Sequence, residues 1–320
     1  MKKIITVAFI AISTLSFGQD YNFKPLWNKG DVKKITIEQV EREYEDGKLI
    51  SDTTIYNEAR IEVLKDNKDS YTLEVLMENQ ALRAAISFYD KLGEELTDYK
   101  DLKLIYSVNK ETAESELLNW KEAQKFMNES FGQITTVLED KSPDMAPLVR
   151  LIFMPLEEMF KSKENIEAYM ETNIGYILTP FNQDFKVGET ITKTESGENP
   201  FNPMQEISTT TLLTLESVDK KSKSCIINEE EELDLSEFIE MMKGMMLQMS
   251  KSFGANDSIT AVKSKEMDDF EMDIENIKVI TFNYETSWVE KVVGTGIVTG
   301  TDPKKGVKTK KEIIATTIIK

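Results

Sequence analysis

Two stretches far apart in this chain alternate apolar and polar residues in the same manner. Behind Gly30, KGDVKKITIEQVERE places Ile35, Ile37 and, less regularly, Val40 among polar residues; behind Gly188, VGETITKTESGENPF opens likewise. Alternation at period two puts successive side chains on opposite faces of a strand. Each opening leads into a longer run of the same character. The first is TTIYNEARIEVLKDNKDSYTLEVLMEN, where Ile61 and Val63, then Tyr71, Leu73 and Val75, alternate with polar residues around the turn DNKDS. The second is QEISTTTLLTLESVDKKSKSCIINEEEEL, with the turn VDKKSKS between two β-branched runs. The spacings agree, for Gly30 stands 36 residues before Asp66 and Gly188 stands 31 before Asp219.

The period then changes to that of a helix. Asn119-Trp120-Lys121-Glu122 and Asp234-Leu235-Ser236-Glu237 each offer a capping residue with Glu three places later. Behind the first, Trp120, Ala123, Met127, Phe131, Ile134 and Leu138 form one stripe. Behind the second, Phe238, Met241, Met242, Met245, Met246, Met249 and Phe253 do the same. The first half also carries an extra piece from Phe88 to Leu118, which includes the strand-like LKLIYSVNKETAESELL. Between the halves, Pro147 and Pro155 divide PDMAPLVRLIFMPLEEMFKSKENIEAYMETNIGY into two or three short helices, with Leu148 to Met159 packed on something. Arg150 and the prolines argue against a membrane span there. From Ile277 the tail reads as three or four antiparallel strands, with TDPKKG as a turn.

Strands and helices are grouped and do not alternate, which predicts an α+β protein. The expected architecture is a largely antiparallel, curved, half-barrel-like sheet of two related halves, residues 19–179 and 180–320, with amphipathic helices packed on one face. The halves could equally form one continuous domain.

The front end adds a location. Lys2 and Lys3, the apolar run from Ile4 to Ile12, and small residues Ser16 and Gly18 make a secretory signal over residues 1–18, cut after Gly18. The run is too short to span a bilayer. The mature chain is therefore expected in the periplasm or outside the cell. Removing Lys2 and Lys3 leaves 37 basic residues against 57 acidic ones, a surface that repels nucleic acid. Cys225, the one cysteine, excludes an internal disulfide and reads as a small buried hydrophobe.

The leader ending in SFGQ, the stretch LWNKGD (Leu26 to Asp31) and YSVNKETAESELLNWKEA (Tyr106 to Ala123) resemble secreted proteins of unknown function common in Bacteroidota. That resemblance implies export and brings no activity with it. A sheet wrapped against helices in an exported protein also looks like the half-barrel of periplasmic lipoprotein carriers of the LolA type, which implies an apolar cavity between sheet and helices. The ending IIATTIIK is similar to the sorting tails of secreted Bacteroidota proteins, which keeps the cell surface open as an alternative to the periplasm.

Chemistry is limited by an absence: the chain contains no histidine. That excludes the ordinary designs of His-based serine and cysteine hydrolases and of zincins. No G-x-S-x-G elbow, phosphate loop or dinucleotide fingerprint is present, and GTGIVTG (Gly294 to Gly300) lies among β-branched strands with no helix after it, so it reads as a strand bend or hairpin. Carboxylate pairs are the remaining catalytic material, and the expectation is a protein that is not an enzyme and uses no cofactor. Glu229 to Glu232 with Asp234, and Asp268, Asp269, Glu271, Asp273 and Glu275, lack the spacing of a calcium loop and read as solvated faces.

The methionine stripe has three readings. Thioethers bind Cu(I), yet Phe238 and Phe253 bound this stripe, which favours core over metal. Methionine also adapts its shape to a variable apolar surface. The expected ligand site is accordingly Phe238, Met241, Met242, Met245, Met246 and Met249, with Leu151, Ile152 and Met159 as an opposing lid and no metal. The partner is an apolar ligand or an envelope component; the competing reading is a structural or protein-partner module of the envelope.

Overall fold

A computed structural model describes residues 20–77, 102–141, 160–171, 173–199, 202–233, 272–302 and 307–320. Eleven strands among them form one antiparallel, curved sheet. The first five are β1 (Val32–Glu45), β2 (Lys48–Asp66), β3 (Ser70–Met77), β4 (Leu102–Asn109) and β5 (Ser115–Leu117). Helices α1 (Trp120–Lys141), α2 (Lys163–Glu171) and α3 (Gly175–Leu178) follow. The rest are β6 (Thr190–Asn199), β7 (Asn202–Asp219), β8 (Ser224–Leu233), β9 (Met272–Asn283), β10 (Trp288–Asp302) and β11 (Val307–Ile319).

The strand order is β5-β4-β3-β2-β1-β11-β10-β9-β8-β7-β6. The chain thus starts mid-sheet, moves outward to the edge at β5, passes through the helices to the opposite edge at β6, and returns. β11 pairs with β1 from Ile35↔Ile319 to Glu45↔Thr309, so the first and last strands are neighbours. Lys34 and Lys320 exchange both backbone bonds, at 2.9 and 3.0 Å.

The two strand openings seen in the sequence behave alike. Gly30 and Gly188 both take positive φ, 89° and 80°, a conformation that glycine reaches without Cβ strain. Gly30 donates to the Val63 carbonyl at 2.8 Å and Gly188 to that of Leu215 at 2.9 Å. Directly after each acceptor the pairing with the next strand is bulged, between Val63 and Lys65 and between Leu215 and Ser217. A second parallel lies in the turns after β4 and β9. In Asn109-Lys-Glu-Thr-Ala113 and Asn283-Tyr-Glu-Thr-Ser287, the Asn Oδ1 accepts from the backbone N–H groups two and three residues on. The fifth residue of each has positive φ. These are Asx turns, in which a side chain replaces a backbone acceptor.

The helix expectations need two corrections. Residues 78–101 lie between β3 and β4, and residues 234–271 between β8 and β9, whereas α1 follows β5. The segment holding the methionine stripe therefore occupies the place of 78–101 in the element order, not that of α1. Asn119 is also not a side-chain cap. Its Oδ1 accepts from the Ile105 N–H at 2.8 Å and its Nδ2 donates to the Lys103 carbonyl at 2.9 Å. β5 is only three residues long and leaves these groups of β4 unpaired, so Asn119 completes the strand edge, where an orphaned backbone group would otherwise be costly. Its backbone carbonyl still accepts from Glu122 and Ala123. Ala123 and Met127 of the predicted stripe are buried.

The core fills one end of the sheet. Ile35, Ile61, Val63, Leu73, Leu104, Leu215, Ile227, Ile280 and Ile319 bury one face of it. Trp27 stacks on Trp288 at 5.0 Å between centroids, meets Phe181 edge-on, and donates Nε1–H to the Ser287 carbonyl at 2.7 Å. Each fully buried aromatic or aliphatic side chain here contributes roughly 1.5–3 kcal/mol. Tyr106 belongs to the same face and donates its hydroxyl to the Met170 carbonyl, joining β4 to α2 at 2.7 Å. Burial, aided by Glu171, holds that hydroxyl far above its ordinary pKa. Cys225 is free and buried as expected, with burial pushing its thiol up to about 12.

Candidate functional site

None of the nine predicted site residues can be placed: Phe238, Met241, Met242, Met245, Met246, Met249, Leu151, Ile152 and Met159 all lie outside the described residues. What the structure adds is the surface beyond the dry core. Residues opposite one another in an antiparallel pair share a face, so the registers trace the core face across the sheet. One level above Ile35 lies the row Asn57–Ile37–Thr317–Val292–Ile280–Ile227. The next is Ile55–Gln39–Ala315–Gly294–Lys278–Glu229, and the third is Thr53–Glu41–Ile313–Gly296–Asn276–Glu231. On β1, β8 and β9 the face therefore passes from apolar to polar within two or three steps.

The strongest electrostatic feature of this band is a cation held by two carboxylates. Lys278 Nζ lies 2.5 Å from Glu229 Oε1 and 2.8 Å from Glu231 Oε1. Glu229 is 5% exposed, and its other oxygen accepts from Thr179 Oγ1, just after α3, at 3.0 Å. Burial alone works against the charge on Lys278, but attraction and hydrogen bonds from the two carboxylates outweigh it and raise its pKa. Nearby, Lys311 pairs with Glu41 at 3.1 Å. Its hydrogen bond, with that from Gln39, offsets burial and lowers the Glu41 pKa. Gly296 makes room in the middle of the band, since a Cβ there would come within 3.2 Å of Asn276 Oδ1.

Reading Glu229 to Glu232 as a solvated face was therefore half wrong. Glu230 and Glu232 point outward, while Glu229 and Glu231 share the parity of the buried Cys225 and Ile227. That parity was visible in SCIINEEEEL and was the available signal. Among the described residues, no group of three or more His, Cys, Asp and Glu is placed to hold a metal ion. GTGIVTG lies inside β10, paired with β9 and β11 throughout, so it is neither the bend nor the hairpin expected.

Two open grooves lie elsewhere among the described residues. One, of about 680 Å³, sits at the far strand tips among Tyr44, Asp273, Thr299 and Lys310, where the Lys310 ammonium already covers the Tyr44 ring. The other, about 330 Å³, is bordered by Leu26, Asp31, Lys33 and Trp288. No helix among the described residues is long and apolar enough to cross a membrane.

No family model matches this chain, and no curated protein matches it. Among solved structures it is similar to Ail, the attachment invasion locus protein of Yersinia pestis, at 8% identity and a TM-score of 0.16, covering 92% of this chain and 100% of that one. A TM-score that low supports no inference about fold or function.

Proposed function

We propose that the protein is an exported, non-catalytic binding protein that encloses an apolar or amphipathic molecule between its curved sheet and its helices. The observation that carries this reading is the route of the chain. The helical connection runs from one edge of the sheet to the other, and touches the core face at Tyr106 on β4 and at Glu229 on β8. A helical layer anchored at both ends of a curved sheet bounds a space, as the likeness to half-barrel carriers implies. The two related halves are supported by the matched glycine bonds, bulges and Asn turns. In this reading Phe238, Met241, Met242, Met245, Met246 and Met249 line the space, and Leu151, Ile152 and Met159 close it. A signal cut after Gly18 delivers the protein to the periplasm or beyond.

The test is to purify the protein from a native envelope extract under mild conditions and analyse solvent-extracted material by mass spectrometry. A stoichiometric apolar compound is the expected result; a folded protein that carries none, and takes up none from an envelope lipid extract, overturns it.

A second reading, a protein-partner module of the envelope, is favoured by the outer face. Ile226, Ile277, Val279 and Ile318 are each more than a third exposed there. A stoichiometric protein partner in the same extract, without a small molecule, would select that reading.

A further inference from the structure

The larger of the two grooves lies on the outer face of the sheet, and its side chains stand in one row across four strands. Asp273 on β9 is opposite Thr299 on β10, Thr299 is opposite Lys310 on β11, and Lys310 is opposite Tyr44 on β1. Directly opposed residues of an antiparallel pair share a face at about 5 Å, so a carboxylate, a hydroxyl, an ammonium and a phenol ring follow one another at that interval. One step toward the strand tips, Thr301 is opposite Lys308. The groove of about 680 Å³ opens over these groups. At its end Gly47 turns the chain with φ 76°, and no atom lies within 4 Å of where a Cβ would stand, so the hairpin leaves the groove open.

The next row inward closes the groove electrically. There Arg42 lies 3.6 Å from Asp52 and 3.5 Å from Glu312, and Lys310 lies 3.3 Å from the same Glu312. Two ammoniums, Lys308 and Lys310, thus face two carboxylates, Asp273 and Glu312, and the site is balanced in charge. A phosphate or a fatty-acid carboxylate would be repelled by Asp273, and an amine by Lys308 and Lys310. Asp273 and Lys310 are two strands apart, about 10 Å, wider than the two charges of a single amino acid. A ligand rich in hydroxyls meets none of these obstacles, because each hydroxyl both donates and accepts and so pairs with a carboxylate, a threonine or an ammonium alike. A sugar also carries apolar C–H edges to rest against the Tyr44 ring, beside the Lys310 ammonium that lies 5.6 Å from its centroid. We propose that this groove is a binding site for a short uncharged saccharide, with Asp273, Thr299 and Lys308 holding its hydroxyls and Tyr44 its apolar edge. The site is separate from the enclosed space proposed above, since it sits on the other face of the sheet.

The test is to probe the folded protein on a saccharide array that includes maltotriose, cellotriose and triacetylchitotriose as neutral probes, trigalacturonate as an acidic one and chitotriose as an amine, and then to titrate the strongest neutral binder by calorimetry. Binding of a neutral saccharide that survives molar salt is the expected result. Asp273→Ala should weaken it about tenfold and Thr299→Val about fivefold, while Thr299→Ser stays within about twofold of the unaltered protein. Urea midpoints of the three variants should match that of the unaltered protein, because both side chains are exposed near the strand ends, so lost binding is not lost folding. An array on which no neutral saccharide binds overturns the proposal. So does neutral binding that Asp273→Ala and Thr299→Val leave unchanged, which places the sugar elsewhere. Binding confined to the acidic probe and abolished by molar salt reduces the groove to its two lysines and overturns it as well. None of these outcomes bears on the apolar ligand, whose mass-spectrometric test reads the opposite face.

Discussion

Lys278 and Arg60 each hold two carboxylates, on opposite faces of the sheet: both partners of Lys278 lie on the neighbouring strand, whereas Arg60 holds one on its own strand and one across. Lys278 holds Glu229 and Glu231 on the core face; Arg60 holds Glu62 at 2.9 Å and Glu74 at 3.0 Å on the outer face. The distances are alike, so distance does not separate them. What does is the environment of the anion and its further bonds. Glu229 is nearly sealed from water and tied to Thr179, which links β8 to the segment after α3. The cations are similarly exposed, at 35% for Lys278 and 41% for Arg60; Glu74 keeps 13% of its side chain in water against 6% for Glu229, and also receives the exposed Lys103. A charge that has left water depends on its partner far more than one that can fall back on solvent.

The largest test of this contrast is Lys278→Met. It strands Glu229 without its cation and should cost about 3 kcal/mol in urea unfolding, the low end for a broken buried pair because Lys278 keeps a third of its side chain in water. Pairing it with Glu229→Leu should recover much of that loss; no recovery would mean that the pair itself, not the orphaned charge, stabilises the fold.

The contrast also has a pH signature. Lys278 and the buried Cys225 both have raised pKa values. The native state therefore keeps their protons where the unfolded chain has lost them, so stability is complete below the unfolded pKa values and falls as pH rises. The window opens near pH 9 and extends to about 12 for Cys225. Urea midpoints should be flat from pH 7 to about 8.5 and decline above. Cys225→Ala should delay the onset. Midpoints that rise with alkali would reverse the assignment.

A neutral contact on the core face gives a yardstick between the extremes. Tyr106→Phe should cost about 1 kcal/mol by the same unfolding measurement, since Asn173 still donates to the Met170 carbonyl. The smallest effect is expected from Arg60→Met, at about 0.5 kcal/mol and vanishing in molar salt. A loss as large as that of Lys278→Met would remove the distinction between the faces.

Much of the sheet was legible in advance. The alternation of Ile61 and Val63, then Tyr71, Leu73 and Val75, appears as β2 and β3 around the expected turn, and VDKKSKS as the turn between β7 and β8. α1 begins at Trp120 as the capping pattern indicated, though Asn119 serves the strand edge instead. A side chain's choice between its own helix and a neighbouring strand depends on whether that strand has a free edge, which no local pattern records. The polar band was missed for a related reason: a run of glutamates reads as solvated until the parity of Cys225 and Ile227 is carried forward into it.

By itself the sequence determined where the described strands run and where α1 begins, because alternation and helical stripes are local properties of side-chain spacing. It also determined that histidine chemistry is absent and that Cys225 stands alone. Only the tertiary structure decided that β1 and β11 are neighbours, that Lys278 meets a glutamate 49 residues away, and that Asn57 is buried. Those facts depend on which strands adjoin and in what register, and strand pairing is settled by the whole sheet at once.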